Sequence, residues 1–402
     1  MRKFSVVLLA IVLVLGLMVA GGEPVEKPKI IKIGVSAPFS GPAAGWGIAP
    51  ALGIEFLAAE INAAGGVVIG GTTYKFEVIR EDNDFTIDGA KTATTKLIDF
   101  RKVDFVFGGI CTDDTLGTQM VTTANDVINM STAFHRITLY KDGKVIPLAF
   151  HVMATQLESI PAMWDYVQAT YPKLTKVAII APSALSSFYG SDLCEKWLKP
   201  TPLEVVSRQH YEYGAETFKP FIQTAMAAGA EIIQSTDAPG GDWALMIKEA
   251  REEGYKGLFF QEIPIGGEWF FEICGADNAN GLITFDLMWY GANRSAEYER
   301  INNALAKTEG WSSFGLHGAI YFAILVEALQ KAGTVDDVDA IVKVLETTTF
   351  NVMGLKVYFG GKDRYGANRQ LGQPLNIVEV KNGKPTIVGS ISIEDQFVPW
   401  PK

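Results

Sequence analysis

The sequence predicts an α/β protein of two lobes, each a largely parallel sheet between layers of helices. Three observations lead there. From residue 30 onward, short β-rich apolar runs alternate with helical stretches. The alternation lapses after residue 130 and restarts at Val177, so it comes in two sets. After residue 285 the chain turns mostly helical and ends in strand-like segments with Gly-rich turns. Strand and helix alternating at this spacing imply parallel strands linked by right-handed crossovers, with helices on both faces.

In the first set, 30–35 reads as a strand, and 48–63 as an amphipathic helix with Leu52, Phe56 and Ala59 three and four residues apart. A strand at 74–79 and a helix at 90–100 follow. Residues 103–107 form a buried-type strand stopped by Gly108-Gly109, then come a helix from about Asp114 and a short strand at 127–130. The stretch 131–176 is less regular. In the second set, strands at 177–180, 203–207, 231–234 and 257–260 alternate with helices at 192–198, 218–228 and 243–253. A strand at 281–285 precedes helices at 296–306, 316–331 and 335–345, and 356–388 has strand character with turns at Gly360-Gly361 and Asn382-Gly383. The pattern leaves open whether the helical block is a third domain or returns to complete the first lobe.

Composition narrows the class. A chain of 402 residues suggests two or three domains. A 48% hydrophobic share with 40 Gly and 18 Pro excludes disorder, collagen and a simple coiled coil. With 35 Lys and Arg against 45 Asp and Glu, the net charge of −10 argues against nucleic acid, which needs clustered cations. Arg2 and Lys3 precede an apolar run at 6–20 and then Gly21-Gly22-Glu23-Pro24, the three-part layout of a secretory signal. The run is short for a membrane span of about 20 residues. Residues 1–22 are therefore expected to be a cleaved signal peptide. No Cys stands near the junction to take a lipid, and no later apolar stretch is long enough to cross a bilayer. The expectation is a soluble protein, periplasmic or extracellular. Cys111, Cys194 and Cys274 form no CxxC pair. Their odd number leaves at least one free thiol, most simply buried, and a Cys194–Cys274 disulfide is left open.

The usual marks of enzymes are missing. There is no GxSxG elbow and no P-loop. Gly45-Trp46-Gly47-Ile48-Ala49-Pro50 approaches a dinucleotide fingerprint but puts Trp between the first two glycines and Pro at the third small position. His135, His151, His210 and His317 never fall at metal-ligand spacing. No cofactor and no metal are expected.

Polar groups follow strand ends instead, where ligands of open parallel sheets sit. The first strand leads through Ser36-Ala37-Pro38-Phe39-Ser40 to Trp46. Gly108-Gly109-Ile110-Cys111-Thr112-Asp113-Asp114 opens a helix, whose N-terminus favours an anion such as a carboxylate, with Thr112 as an added donor. Taken alone, this turn favours the plainer reading, in which Thr112 or Asp113 simply caps the helix. Two inward carboxylates would repel an anion, so at least one of Asp113 and Asp114 is expected to face away. A third turn is Ser131-Thr132-Ala133-Phe134-His135. The second lobe offers Ser186-Ser187-Phe188-Tyr189-Gly190, Ser235-Thr236-Asp237 and Gln261-Glu262. Singly these read as surface turns; together they make one rim of donors and one of carboxylates, a match for a ligand carrying both a carboxylate and an ammonium.

Residues 31–35, Ser40-Gly41-Pro42, Trp46-Gly47 and Glu60-Ile61-Asn62-Ala63-Ala64-Gly65-Gly66 resemble the opening of the leucine/isoleucine/valine-binding proteins, the extracytoplasmic solute receptors of branched-chain amino acid ABC transporters. The likeness continues through Glu81-Asp82-Asn83, Gly108-Gly109-Ile110-Cys111, Tyr189-Gly190, Gln261-Glu262 and the helix after His317. It implies a type I periplasmic-binding-protein fold, two Rossmann-like three-layer lobes joined by a three-strand hinge. Lobe 1 would comprise 30–151 and 285–354, lobe 2 152–284 and 355–402. It further implies that the ligand carboxylate meets Cys111-Thr112, with Asp113 beside them, and the turn Ala133, Phe134, His135. The ammonium would meet Glu262, with help near Asp237, while Trp46 and Tyr189 line the side-chain end. Asp113, Asp114 and His135 stand where aliphatic-specific members carry small hydroxyl residues, and Phe85 replaces the disulfide partner of Cys111. That points to an amino acid, an amide or an aromatic carboxylate as ligand. The expected partners are this small molecule and a membrane permease, with no nucleic acid, and the protein is expected to act as a monomer. A ligand-sensing module for a separate signalling partner is the alternative function, and an exported α/β enzyme a third.

Overall fold

The first strand, β1 (Lys29–Ala37), is central and buried on both faces. Ile31, Ile33 and Val35 join the core beneath helix α1 (Ala44–Ala63), while on the other face a Cβ at Gly34 would already lie 3.1 Å from Leu97. The computed structural model describes residues 27–397 except 42, 134, 154–155, 266, 287–294 and 313, so the segment 1–22 lies outside it. The chain continues through β2 (Val67–Ile69), β3 (Thr72–Asp82), α2 (Ile87–Thr95), a wider helical turn at Lys96–Arg101, β4 (Phe105–Gly108), α3 (Thr112–Thr122) and β5 (Asn129–Ser131). A small hairpin, β6 (Tyr140–Lys141) and β7 (Lys144–Val145), leads to β8 (Ala149–His151).

The second set runs α4 (Gln156–Thr170), β9 (Lys176–Pro182), α5 (Leu185–Leu198), β10 (Glu204–Tyr211), α6 (Lys219–Ala227), β11 (Ile232–Ser235), α7 (Gly240–Glu252), β12 (Leu258–Gln261), α8 (Glu268–Cys274) and β13 (Leu282–Asp286). Then follow α9 (Ala296–Leu305), α10 (Gly315–Ala332), α11 (Val338–Thr347), β14 (Thr349–Val352), β15 (Leu355–Gly360), α12 (Lys362–Tyr365), β16 (Gln370–Gly372), β17 (Leu375–Lys381), β18 (Lys384–Ile391) and α13 (Ile393–Gln396).

These strands form a sheet ordered β14-β15-β16-β8-β5-β4-β1-β3-β2 and another ordered β10-β9-β11-β12-β13-β17-β18. The first is parallel at its centre and antiparallel at both edges, whereas the second is parallel from β10 to β13 and antiparallel only toward β17 and β18. Helices cover both faces of the second sheet: Trp164 of α4 stacks on Phe260 at 3.9 Å on one side, and Trp243 of α7 meets Phe259 on the other. The chain passes between sheets after β8, after β13 and between β16 and β17, which makes three crossings. The helical block returns to the first lobe, with α10 packed along α1. Gly53 and Gly315 permit that approach, since a Cβ on Gly53 would sit 1.9 Å from the Gly315 carbonyl oxygen.

Four expectations need correction. The strands β15 and β16 belong to the first sheet, not to a second lobe beginning at 355. The reason is the tight turn at Met353-Gly354, both with positive φ, which folds β15 straight back on β14. The stretch 131–176 contains a full helix, α4, hidden in sequence by Pro161 inside it. Residues 186–190 are not a turn but the first part of α5. Finally, α1 is long and apolar enough by length and composition to cross a membrane, yet here Ala49, Ala51, Ile54, Leu57 and Ala58 are buried in the first lobe. The three cysteines are free and buried, including Cys194 and Cys274.

Candidate functional site

Strand ends of both sheets point into one crevice. On the first side, β4 runs out at Gly108, where the backbone passes so close to β1 that a Cβ would lie 2.0 Å from the Ser36 carbonyl oxygen. The turn that follows is held from within by Asp114. Its carboxylate accepts the backbone N–H groups of Ile110 and Cys111, both at 2.8 Å, and the Asn83 amide at 2.9 Å. Burial outweighs these donors and pushes the Asp114 carboxyl up to about 6. Asp114 therefore faces its own turn. Asp113 instead points across the crevice toward the backbone N–H of Leu185, the first residue of α5 in the other lobe. Just before them, Thr112 is fully buried at the N-terminus of α3, and its hydroxyl has no hydrogen-bond partner.

The turn after β5 is tied to this one by the Thr132 N–H on the Gly109 carbonyl at 3.0 Å. Ala133 is buried there, and Phe134 lies outside the described residues. His135 accepts the Ile137 N–H at Nδ1 and stacks flat on Tyr189 of α5, ring centres 3.8 Å apart. Burial holds the imidazole near a pKa of about 4, so it is neutral and acts as an aromatic surface. Burial raises the Tyr189 phenol, and the Arg136 and Arg364 cations work against that rise.

The second side carries negative charge. Asp237 is fully buried in the left-handed conformation, φ 55°, just after β11. Glu262, just after β12, is also fully buried. Its Oε1 accepts the Gln234 amide at 2.7 Å and the Thr236 hydroxyl bonds to the same carboxylate, but Oε2 has no partner. The charge that acts on it is another carboxylate, Asp237, which adds to burial in holding the Glu262 carboxyl well above the usual range. Asp237 and burial likewise raise the Cys111 thiol across the gap. The hydroxyls of Ser186 and Ser187 are buried without partners at the start of α5.

Two spaces adjoin these groups. A cleft of about 490 Å³ opens between Phe85, Cys111 and Asp113 on one lobe and Ser183, Ala184 and Tyr213 on the other. Phe85 closes it by bridging Trp46 at 5.9 Å and Tyr213 at 5.7 Å. Deeper lies an apolar chamber of about 30 Å³ lined by Trp46, Ile110, Cys111, Met153 and Phe314, with Ile263 from the second lobe. The α1–α10 contact builds it. A Cβ at Gly318 would be 1.9 Å from the Pro50 carbonyl oxygen, so only glycine lets Trp46 and Pro50 lie against Phe314, His317 and Tyr321.

Of the residues singled out in the sequence, Trp46, Cys111 and Asp113 line these spaces, and Thr112, Ala133, Asp237 and Glu262 are buried at the strand ends around them. His135 and Tyr189 meet each other, and Tyr189 is not among the residues lining the chamber. Sequence reasoning missed Tyr213, Phe314, His317 and Tyr321. The small residues Gly53, Gly315 and Gly318 were the available signal, since glycine at helical spacing marks close backbone approach. Among the described residues no group of three or more His, Cys, Asp or Glu side chains is placed to hold a metal ion.

Two α/β lobes, three crossings and a crevice edged by buried polar groups are the architecture of a two-lobed solute-binding protein. Residues 30–385 match the model of the periplasmic binding proteins, and the chain belongs to that family. Membership implies an extracytoplasmic location. A relative, Leu/Ile/Val-binding protein homolog 3 of Brucella melitensis, is 24% identical over 324 residues, covering 78% of this chain and 83% of its own length. The fold is shared with the branched-chain amino acid transporter substrate-binding protein LivJ of Streptococcus pneumoniae, solved with isoleucine (TM-score 0.72, 21% identity, 90% of this chain and 99% of that one). It is shared too with a solute-binding protein of an ABC transporter from Rhodopseudomonas palustris BisB5, solved with 3,4-dihydroxybenzoic acid (TM-score 0.76, 19% identity, 90% and 98%).

Proposed function

We propose that the protein, exported and trimmed of residues 1–22, captures a free α-amino acid between its lobes and delivers it to the permease of an ABC transporter. One observation carries this choice over an aromatic acid: the unpaired Oε2 of fully buried Glu262, with Asp237 beside it. Two buried carboxylates in one pocket repel an anion that brings no positive charge, whereas an ammonium answers the open oxygen of Glu262. The ligand carboxylate goes to the opposite side, to the α3 N-terminus, the Thr112 hydroxyl and the turn around Ala133. Trp46 covers the side chain. The ligand closes the lobes by touching both at once, so it shifts the population toward the closed form. Asp113 facing the Leu185 N–H and His135 on Tyr189 are the contacts that closure adds between the lobes themselves.

Calorimetry against the common L-amino acids, benzoate and 3,4-dihydroxybenzoate tests the reading. At least one amino acid is expected to bind tightly and the two ammonium-free acids weakly or not at all. Tight binding of an aromatic acid with no amino acid bound would overturn it.

A further inference from the structure

The chamber behind Trp46 is mostly apolar, with the Tyr321 hydroxyl and the His317 ring as polar groups on its wall. Its lining and that of a second chamber of about 30 Å³ beside it share Pro50, Ile110, Thr132 and Tyr321. Thr132 is already engaged, its hydroxyl donating to the Ile110 carbonyl at 3.0 Å. Tyr321 is only 3% exposed, stands on the wall common to both chambers, and its hydroxyl has no hydrogen-bond partner. A buried hydroxyl left unanswered is costly, and an apolar side chain in the chamber would leave it so. The neighbouring His317 ring lies 5.8 Å away between ring centres, and burial holds it neutral with a pKa of about 3. Among the described residues, no Asp, Glu, Lys or Arg side chain lines either chamber.

From this geometry we infer that the captured amino acid has a short side chain ending in an uncharged hydrogen-bonding group, a hydroxyl or an amide, and that Tyr321 reads it. A charged tip would be stripped of water with no counter-charge to meet. An aliphatic tip of the same shape would fit the walls but leave the Tyr321 hydroxyl unsatisfied. Sites built to hydrogen-bond a ligand group reject the analogue lacking it far more strongly than apolar pockets reject one methylene. The inference rests on the amino-acid reading above and concerns only the far end of the ligand.

The test is calorimetry on wild type and Tyr321→Phe with two near-isosteric pairs, L-threonine against L-valine and L-asparagine against L-leucine. In wild type the polar member of at least one pair is expected to bind roughly tenfold tighter or better, the size of one buried hydrogen bond. Tyr321→Phe is expected to bring that ratio to within about twofold while the apolar member binds as well as before. A wild-type preference for valine and leucine overturns the inference, as does a ratio that survives Tyr321→Phe. If none of the four binds and no other amino acid does, the amino-acid reading fails and this inference with it. If only apolar amino acids bind, that reading stands and the inference alone falls. Should Tyr321→Phe not fold, the wild-type ratios decide.

Discussion

Replacing Glu262 by Gln removes a charge without removing the shape. Gln keeps an oxygen for the Gln234 amide, which now sits 2.7 Å from Glu262 Oε1, and turns an NH₂ toward the place of the unpaired Oε2. That NH₂ would face a ligand ammonium donor to donor. Removing one partner of a buried charged pair costs about 2–5 kcal/mol of binding. Asp237 remains and still attracts the ammonium, which places the loss in the lower half of that range. At 1.4 kcal/mol per decade, Kd should rise about 30- to 300-fold. The apo protein should melt within about 2 °C of wild type or higher, because the variant no longer buries an ionisable group with an unmet oxygen. The proton supplies a second readout. Below its raised pKa the free carboxyl is protonated and must lose that proton to hold an ammonium, so wild-type affinity should climb with pH and level off above it. Glu262→Gln should flatten this climb. Titration calorimetry across pH in two buffers of different ionisation enthalpy reads both effects. A Kd within twofold of wild type, with the same pH slope, would refute the reasoning.

Three further outcomes are expected. Gly318→Ala would place a Cβ 1.9 Å from the Pro50 carbonyl oxygen, so α1 and α10 must part; a loss of about 1–3 kcal/mol is expected in denaturant melts, while Gly241→Ala, with nothing within 4 Å, should cost nothing measurable. Asp114→Ala strands the Ile110 and Cys111 N–H groups and the Asn83 amide, and should lower stability by roughly 3 kcal/mol by the same melts. His151, bonded to Thr138 at 2.7 Å and Gln370 at 3.1 Å, is held near a pKa of about 3 by burial. The unfolded chain takes up its proton near pH 6.5 and the folded chain does not, so the stability tied to His151 is present above pH 6.5 and lost as pH falls. The margin of wild type over His151→Gln in urea melts should shrink by about 1.4 kcal/mol per pH unit between pH 6 and 4, and a constant margin would show that His151 protonates in the fold.

The sequence alone determined the α/β class, the two lobes and most central strands, because buried parallel strands are written as short local runs of Val, Ile and Phe that need no distant partner to be read. It also marked Thr112, Asp237 and Glu262, since strand ends in such sheets are where ligand groups stand. It did not determine which strand joins which sheet. The turn at Met353-Gly354 commits β15 and β16 to the first sheet through hydrogen bonds to β14 and β8, a choice made by pairing and invisible in local composition. Nor did it show that Asp114 folds back on its own turn while its neighbour Asp113 points toward the other lobe, since one residue's step along α3 turns the side chain by about 100°. The chamber is the clearest case of a tertiary decision. Trp46 and Tyr321 are 275 positions apart in the chain, and only the close crossing of α1 and α10, set by glycines where any larger residue would collide, puts them on one wall.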